Sequence, residues 1–393
     1  MDLIHEIKAL EPEMLGWYKH LHENPELGLS LPNTVAFVCD ILNKMGIESN
    51  VFPDNTGITA LIGKGDGPVV GIRVDMDALA VQEDTGLPFS SSLPGGMHAC
   101  GHDAHTAVLL TVAKVLKDHE DELPGRVKLI FQTAEELLQG AKHMIAHGVL
   151  ENPRPDRILA LHVGGMGGEG PAGDIILSQG VAFRSSDNMR IRVTGKGGHA
   201  ASPHLTIDPV VCGARIVEAL QTLVSRETAP TDTSVISITH FEAGSGTYNV
   251  IPNEALLMGG VRTVNPDTRN YLLRRVEEVC KQTAASMRCT ATFEIVDGAP
   301  PLVNDEQTAL RVEQAVSALF PGQVRWMKES NGGSEDAAYY FEQIPGCFLF
   351  LSNMAPHADG QVYPHHHARF MLDDSLLWKG AAALAQAALE LMH

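Results

Sequence analysis

The feature that most constrains the fold is an alternation of short apolar runs with longer helical patterns. The apolar runs lack polar alternation and are rich in Val, Ile, Leu and Phe, which is typical of strands buried on both faces of a sheet. These runs are PVVGIRV (68–74), RVKLIFQT (126–133), RILALHV (157–163) and GCFLFLS (346–352). Helical spacing occurs between them in DAHTAVLLTVAKVLKD (103–118) and ELLQGAKHMIAHGVL (136–150). This rhythm predicts an α/β domain with three α/β/α layers around a parallel or mixed sheet.

The middle third of the chain has a different pattern. Its strand-like and helical segments follow the order β-α-β-β-α-β, which is that of a ferredoxin-like α+β sandwich. The α/β pattern resumes after the breaker GAPP at 298–301. A length of 393 residues also suits two domains. We therefore predict a discontinuous domain formed by residues 1–183 and 298–393, with an inserted domain formed by 184–297.

Acidic residues and a histidine lie where the predicted strands end. They are Asp75, Asp77, Glu135, Glu136 and His162. Two adjacent glutamates usually form a solvated face, and a lone histidine is usually a hydrogen-bonded core residue. Ligands and catalytic groups, however, gather beyond the carboxyl ends of strands in open α/β sheets. The coincidence of these residues at one predicted sheet edge therefore indicates a functional site.

The loop GGMHACGHDAH, which starts at residue 95, adds a thiol and imidazoles just before a predicted helix. Thiolate, imidazole and carboxylate ligands together suit a borderline metal such as Zn, Co, Ni or Mn. Cys100 and His102 are the candidate ligands in this loop. We expect Asp103 to cap the helix, and His98 and His105 to have supporting or structural roles.

A cysteine nucleophile is the alternative interpretation of the same loop. Cys100 could attack a carbonyl with His102 as its base, but residues two apart in a turn are poorly placed for proton transfer. The glycine-rich segment GMGGEG (165–170) fits a dinucleotide-binding pattern. Pro171 and Gly173 follow where that pattern requires a helix, so we predict a turn.

The formal net charge is −19, which argues against a nucleic acid or an anionic membrane as partner. No apolar run approaches the roughly 18 residues that span a bilayer, and the first residues lack the apolar core of a signal peptide. Six scattered cysteines form no small disulfide framework. These observations favour a cytoplasmic protein.

Eight motifs of the chain occur in the order in which a known family has them. They are DMDAL, GGMHACGHDAHTA, FQTAEE, LH, GKGGHAASPH, NVIP, VRT and SED. On these motifs the chain resembles the aminoacylase/hippurate-hydrolase amidohydrolases, and the resemblance extends from HENPEL at residue 22 to the final helix. That group includes N-acetyl-diaminopimelate deacetylases and plant auxin-conjugate hydrolases, within the dinuclear metallo-aminoacylases and carboxypeptidases.

The resemblance implies a metallopeptidase-like catalytic domain holding two divalent metal ions, with Zn, Mn, Co or Ni as candidates. Cys100 would bridge the two ions. Among the three histidines at 365–367, His366 is chosen because HHARF aligns with the family's H-x-P-x-F segment. The implied ligands are Cys100, His102, Glu136, His162 and His366.

The resemblance also implies roles outside the ligand set. Glu135 would be the general base, and Asp77 would orient a ligand. His199, in the inserted domain, would act in catalysis. In this class of proteins the matching histidine often enters the active site of the partner subunit in a homodimer. Asn249 and Arg262 would contact the substrate's carboxylate, although Arg262 could equally be a cross-strand surface charge.

The implied activity is hydrolysis of the amide bond of N-acyl amino acids, with acetyl, benzoyl or longer acyl groups. The inserted domain would serve as a lid and dimerisation domain. A cysteine hydrolase using Cys100 is one alternative. A non-catalytic protein that binds metal or an acyl amino acid on the same fold is the other, and the presence of Glu135, which the metals do not need, argues against it.

Overall fold

The computed structural model describes residues 2–168 and 170–393. The predicted turn at 165–170 therefore includes one residue, Glu169, that lies outside the described part. The chain divides into two compact units. The first unit contains Met1–Ala182, Leu302–Asn331 and Glu335–His393, and the second contains Phe183–Pro301 and Gly332–Ser334.

Helices and strands are numbered in chain order. The helices are α1 (Leu3–Ala9), α2 (Glu11–Glu23), α3 (Pro32–Lys44), α4 (His102–Asp118), α5 (Gly140–Ala146), α6 (Pro209–Thr222), α7 (Pro266–Ser286), α8 (Glu306–Leu319), α9 (Ala338–Phe341) and α10 (Leu377–Leu391). The strands are β1 (Ser49–Val51), β2 (Gly57–Ile62), β3 (Val69–Asp75), β4 (Arg126–Gln132), β5 (Arg157–Val163), β6 (Ile175–Leu177), β7 (Val181–Phe183), β8 (Ser186–Thr194), β9 (Gly198–His199), β10 (Ser234–Ala243), β11 (Val250–Ile251), β12 (Glu254–Thr263), β13 (Thr290–Ala299), β14 (Leu302–Val303), β15 (Val324–Trp326) and β16 (Gly346–Leu351).

The first unit is built on a mixed sheet, which confirms the predicted α/β class. Within the described residues its order is β1-β2-β4-β3-β5-β16-β6-β15. The neighbours β4, β3, β5 and β16 all run parallel, whereas β2 and β6 run antiparallel to their neighbours β4 and β16. The parallel strands consist of buried Val, Ile, Leu and Phe runs. Their carboxyl ends therefore meet at one edge of the sheet.

Two local predictions for helices were wrong. The helix predicted for 136–150 is limited to α5, because Ala134 and Leu138 adopt left-handed backbone conformations with φ of 54° and turn the chain. Asp103 does not cap α4. The cap position is Gly101, whose φ of 89° suits glycine, and Asp103 is a buried residue of the first turn.

The second unit contains a four-stranded antiparallel sheet with the order β10-β12-β8-β13. Its larger elements follow the chain order β8-α6-β10-β12-α7-β13. Buried and exposed residues alternate along β8, and its buried face packs with the apolar faces of α6 and α7. Asp208 and Asn265 cap the two helices by accepting hydrogen bonds from their first turns.

No helix among the described residues is long and apolar enough to cross a membrane.

Candidate active site

The candidate site of the first unit forms where the parallel strands end. Asp75 is the last residue of β3, and His162 is the last but one of β5. Glu135 and Glu136 lie in the turn that follows β4, and His102 opens α4. This arrangement follows from strand direction, since polar side chains that end parallel strands reach the same edge of the sheet.

Five side chains come together in two overlapping groups that share Cys100. In each group the potential ligand atoms lie within 4.8 Å of one another. One group combines the Cys100 thiol with His102 and His162, and the other combines it with Glu136 and His366. A single thiol common to two groups is the arrangement that a bridging ligand between two ions requires.

The two buried imidazoles of the first group are suited to bind a metal ion. His162 donates from Nδ1 to the carbonyl of Val163 at 2.7 Å, which leaves Nε2 unprotonated and 3.5 Å from Cys100 Sγ. Burial and the neighbouring imidazoles of His105 and His365 lower the pKa of His162. Both ring nitrogens of His102 are buried without a hydrogen-bond partner, a state that is unfavourable unless something else binds them.

Asp77 joins the acidic turn to His102. Its two carboxylate oxygens accept hydrogen bonds from the backbone N–H groups of Glu135 and Glu136, each at 3.1 Å. Its Oδ1 also lies 3.4 Å from Nδ1 of His102. The left-handed backbone at Ala134 points both amides towards this one carboxylate. Asp77 thereby fixes the backbone of both glutamates and lies beside the His102 imidazole, and its role in orienting a ligand stays a prediction.

Glu135 is buried and belongs to neither of the two ligand groups that contain Cys100. Burial raises the pKa of its carboxyl, and the nearby carboxylates of Glu335 and Glu136 raise it further. Oxygen atoms of Glu135, Glu335 and Asp336 lie within 4.8 Å of one another. A carboxyl whose pKa is shifted upwards is suited to accept and return a proton near neutral pH.

Sequence reasoning missed the cation beneath this site. Arg73 is fully buried, and its guanidinium donates to Asp75 at 2.8 Å, to Asp336 at 2.8 Å and to Gln132 at 2.9 Å. Its Nη2 is also 3.0 Å from Glu335 Oε1. The available signal was an arginine inside the apolar run PVVGIRV, where a charge needs a buried partner.

His105 has a supporting role in this region. Its Nδ1 lies 2.5 Å from Asp75 Oδ1, and its Nε2 accepts the N–H of Val163 at 2.9 Å. Both ring nitrogens are thus used by the protein. His98 is also buried, but neither of its ring nitrogens has a hydrogen-bond partner.

The three consecutive histidines have different surroundings. His366 Nε2 lies 3.3 Å from Glu136 Oε1, and its backbone N–H donates to the carbonyl of Ala99 at 2.8 Å. His365 instead contacts the carbonyl of Val163 at 3.1 Å. The ring of His367 stacks on Tyr363 with centroids 4.5 Å apart. Of the three, His366 is the one grouped with Cys100 and Glu136.

The remaining predicted site residues belong to the second unit. His199 is exposed in β9 and pairs with Val250 of β11. Asn249 precedes β11, and its carbonyl accepts the N–H of Ala200 at 2.9 Å, so His199 and Asn249 are neighbours on this two-stranded ribbon. Arg262 lies in β12 and donates to the carbonyl of Val261 at 3.1 Å. The catalytic and substrate-binding roles of these three residues stay predictions.

Comparison with known proteins gives matches along almost the whole chain. The profile of peptidase family M20/M25/M40 matches residues 71–390. The chain is 36% identical over 388 residues to an N-acetyl-L-cysteine deacetylase of Bacillus subtilis, covering 98% of this chain and 90% of the relative. It is 38% identical over 380 residues to the IAA-amino acid hydrolase ILR1-like 4 of Arabidopsis thaliana, covering 95% and 84%.

A solved structure agrees with these matches. The YXEP protein of Bacillus subtilis, described as a dinuclear metal binding peptidase, superposes with a TM-score of 0.83 at 32% identity. The superposition covers 98% of this chain and 99% of that protein.

Proposed function

Since the chain belongs to peptidase family M20/M25/M40, we propose that it hydrolyses N-acyl amino acids to a carboxylic acid and a free amino acid. Its relatives include a deacetylase and an amino acid conjugate hydrolase, so it is a hydrolase acting on amide bonds. The acyl group of the proposed substrates is acetyl, benzoyl or longer.

The observation that carries the proposal is the pair of ligand groups sharing one thiol, with a buried carboxyl beside them. We assign two divalent cations to this site, with Zn, Mn, Co and Ni as candidates. The donor set suits such ions because it combines thiolate, neutral imidazole and carboxylate. The proposed ligands are Cys100, His102, Glu136, His162 and His366.

Two bound cations supply Lewis acidity and lower the pKa of water towards about 7. Glu135 takes the proton from the attacking water, and it later returns that proton to the departing amine nitrogen. Asp77 holds the Glu135 backbone and His102 in place through the contacts described above. We assign His199 to stabilisation of the oxyanion.

Substrate recognition is assigned to the second unit. The planar guanidinium of Arg262 can donate two parallel hydrogen bonds to a free carboxylate, and Asn249 can donate a further one from its amide. We further propose that this unit acts as a lid and forms a homodimer, so that His199 serves its own or the partner's site.

Two other functions make different predictions. A cysteine hydrolase would use Cys100 as its nucleophile and would work without metal. In the structure its Sγ lies 3.5 Å from His162 Nε2, and burial raises the pKa of the thiol, with Glu136 adding to the shift. The thiolate is therefore disfavoured unless a cation binds it, and a nucleophile that works without metal lacks that stabilisation. A non-catalytic binding protein would bind acyl amino acids without cleaving them.

The test is a hydrolysis panel of N-acetyl, N-benzoyl and longer N-acyl amino acids, run on protein stripped of metal and then reconstituted. We expect hydrolysis only after reconstitution, and only of substrates with a free carboxylate. Hydrolysis by protein shown to be metal-free would support the cysteine hydrolase. Binding without cleavage by the reconstituted protein would support the binding protein.

A further inference from the structure

A buried histidine outside the proposed ligand set lies between two carboxylates. His22, in α2, has Nδ1 at 2.6 Å from Asp103 Oδ2 and Nε2 at 3.2 Å from Glu83 Oε1. At most 4% of any of these three side chains is exposed. Burial lowers the pKa of His22, but the two carboxylates outweigh it and raise the pKa to about 10. Tyr18 and His98 also face this group, and burial keeps both neutral by raising the pKa of Tyr18 and lowering that of His98 to about 4.

The two carboxylates belong to two different segments, each next in sequence to residues of the candidate site. Asp103 follows His102 in the first turn of α4. Glu83 lies in the segment 80–96, which we call the 80–96 loop. Leu79 and Met97 close this loop by exchanging two backbone hydrogen bonds of 3.0 Å. The loop therefore starts just after the DMDAL segment and ends just before Cys100.

The same loop reaches the segment that carries His366. The N–H of Asp84 donates to the carbonyl of Ala368 at 2.8 Å. Arg369 Nε donates to Asp84 Oδ2 at 2.7 Å, and His357 Nε2 lies 3.1 Å from the carbonyl of Thr85. These contacts lie one and two residues along the loop from Glu83, so a displacement of Glu83 would be transmitted to them.

We propose that His22 is a positioning residue that sets the His366 segment against the start of α4 through the 80–96 loop. The inference rests on the proposed function, because it requires His366 to bind a metal ion. It assigns to His22 a role in binding one ion in particular, the one held by Glu136 and His366.

The two proposed ions differ in how firmly the protein holds their ligands. His102 and His162 are buried within a helix and a strand. The side chain of His366 is 54% exposed, and its backbone is left-handed with φ of 66°. His366 depends more on neighbouring segments for its position. Loss of His22 should therefore lower the affinity for the ion at Glu136 and His366 more than the affinity for the other ion.

The experiment compares His22→Gln with a matched variant at the other end of α4. His119 also lies between two carboxylates, with Nε2 at 2.7 Å from Glu6 and Nδ1 at 3.2 Å from Glu122. His119→Gln therefore removes a similar pair of contacts far along the helix from the site. Metal-free wild type and both variants are titrated with Zn²⁺ by calorimetry, and bound zinc is counted by atomic emission after gel filtration.

We expect two bound ions in the wild type and in His119→Gln. In His22→Gln, one ion should bind with wild-type affinity, and the affinity for the other should fall at least about tenfold, as for other residues that orient ligands. Two ions of wild-type affinity in His22→Gln would overturn the inference, and so would an equal loss of both. A wild type that binds fewer than two ions would instead count against the proposed function.

A second variant covers the case in which His22→Gln does not fold. Arg369→Met breaks the contact with Asp84, the residue next to Glu83 in the loop, and leaves the buried carboxylates paired. It should lower the affinity for the same ion by a smaller factor. The Arg369 and Asp84 side chains are 38% and 64% exposed, and exposed ion pairs contribute little. Unchanged affinity for both ions in Arg369→Met, with His22→Gln unfolded, would also overturn the inference.

Discussion

Replacing Glu135 by glutamine should separate proton transfer from metal binding. Glutamine has nearly the same size, and the backbone N–H at this position can still donate to Asp77 at 3.1 Å. None of the proposed ligands is removed, so both ions should stay bound. The amide cannot take a proton from water, and kcat should fall at least about a hundredfold. That corresponds to about 2.7 kcal/mol or more of added barrier.

The same substitution should stabilise the metal-free protein. Glu135 lies within 4.8 Å of two further buried carboxyls, Glu335 and Asp336, with the Arg73 guanidinium as the cation beneath them. Replacing one of these acids by a neutral amide removes the cost of ionising a buried carboxyl beside other carboxyls. It should add about 1 to 3 kcal/mol to the free energy of unfolding.

The pH dependence of that gain has a defined sign. Burial raises the pKa of Glu135 above that of the unfolded chain, so the folded wild type binds more protons and loses stability as the pH rises. The advantage of Glu135→Gln should be absent below about pH 4, near the unfolded pKa, and should grow above it. Urea unfolding of both metal-free proteins from pH 3.5 to 8 measures this difference.

The kinetic measurement uses the best substrate of the panel and protein whose metal content has been determined. Glu136→Gln is the matched control, because it changes the neighbouring residue but removes a proposed ligand, and it should lose bound metal. A fully metallated Glu135→Gln with kcat within tenfold of wild type would refute the assignment of the base. An unchanged urea midpoint at pH 8 would refute the account of the buried acids.

Three further predictions concern other parts of the structure. Chelation should abolish hydrolysis and lower the melting temperature, and a divalent metal should restore both, because an ion that binds only the folded chain stabilises it. After chelation, iodoacetamide should modify Cys100 faster than it does in the metal-loaded protein. Equal rates of modification would count against Cys100 as a ligand. Asp77→Asn should destabilise the protein by about 1 to 3 kcal/mol, measured by urea unfolding, because one of the two backbone N–H groups loses its carboxylate acceptor. The stability difference between wild type and His22→Gln should be largest below pH 6.5 and should vanish as the pH rises to about 10, because the pKa of His22 is raised only in the folded state. A stability difference that does not change with pH over that window would show that His22 is neutral.

The sheet was largely predictable because its central strands allow one interpretation. The run at 157–163 matches β5. The predictions for β4 and β16 are each one residue too long at the carboxyl end, and the prediction for β3 is displaced by one residue at both ends. Continuous Val, Ile, Leu and Phe runs have no polar face, so they must be covered on both sides. The polar residues that follow such strands then lie at one edge, which is why the candidate site was found.

Contacts between distant segments could not be predicted. Arg73 binds Asp336, which is 263 residues away, and no local pattern encodes that pairing. The expected cap at Asp103 failed because its carboxylate turns to His22, 81 residues earlier. The expected long helix after Glu135 failed because Asp77 accepts two amides of the turn and thereby competes with helical geometry. In each case a tertiary contact outweighed a local preference.

The position of β16 in the sheet has a consequence for the order in which the chain is completed. This strand, Gly346–Leu351, lies between β5 and β6, although roughly 180 residues separate it from the end of β5 in the sequence. A ribosome needs on the order of 10 to 40 s to synthesise that stretch. During this interval β5 and β6 each have an exposed edge, and such edges are prone to pair with other chains. His366 emerges later still, so the proposed ligand group that contains it is the last part of the candidate site to be synthesised.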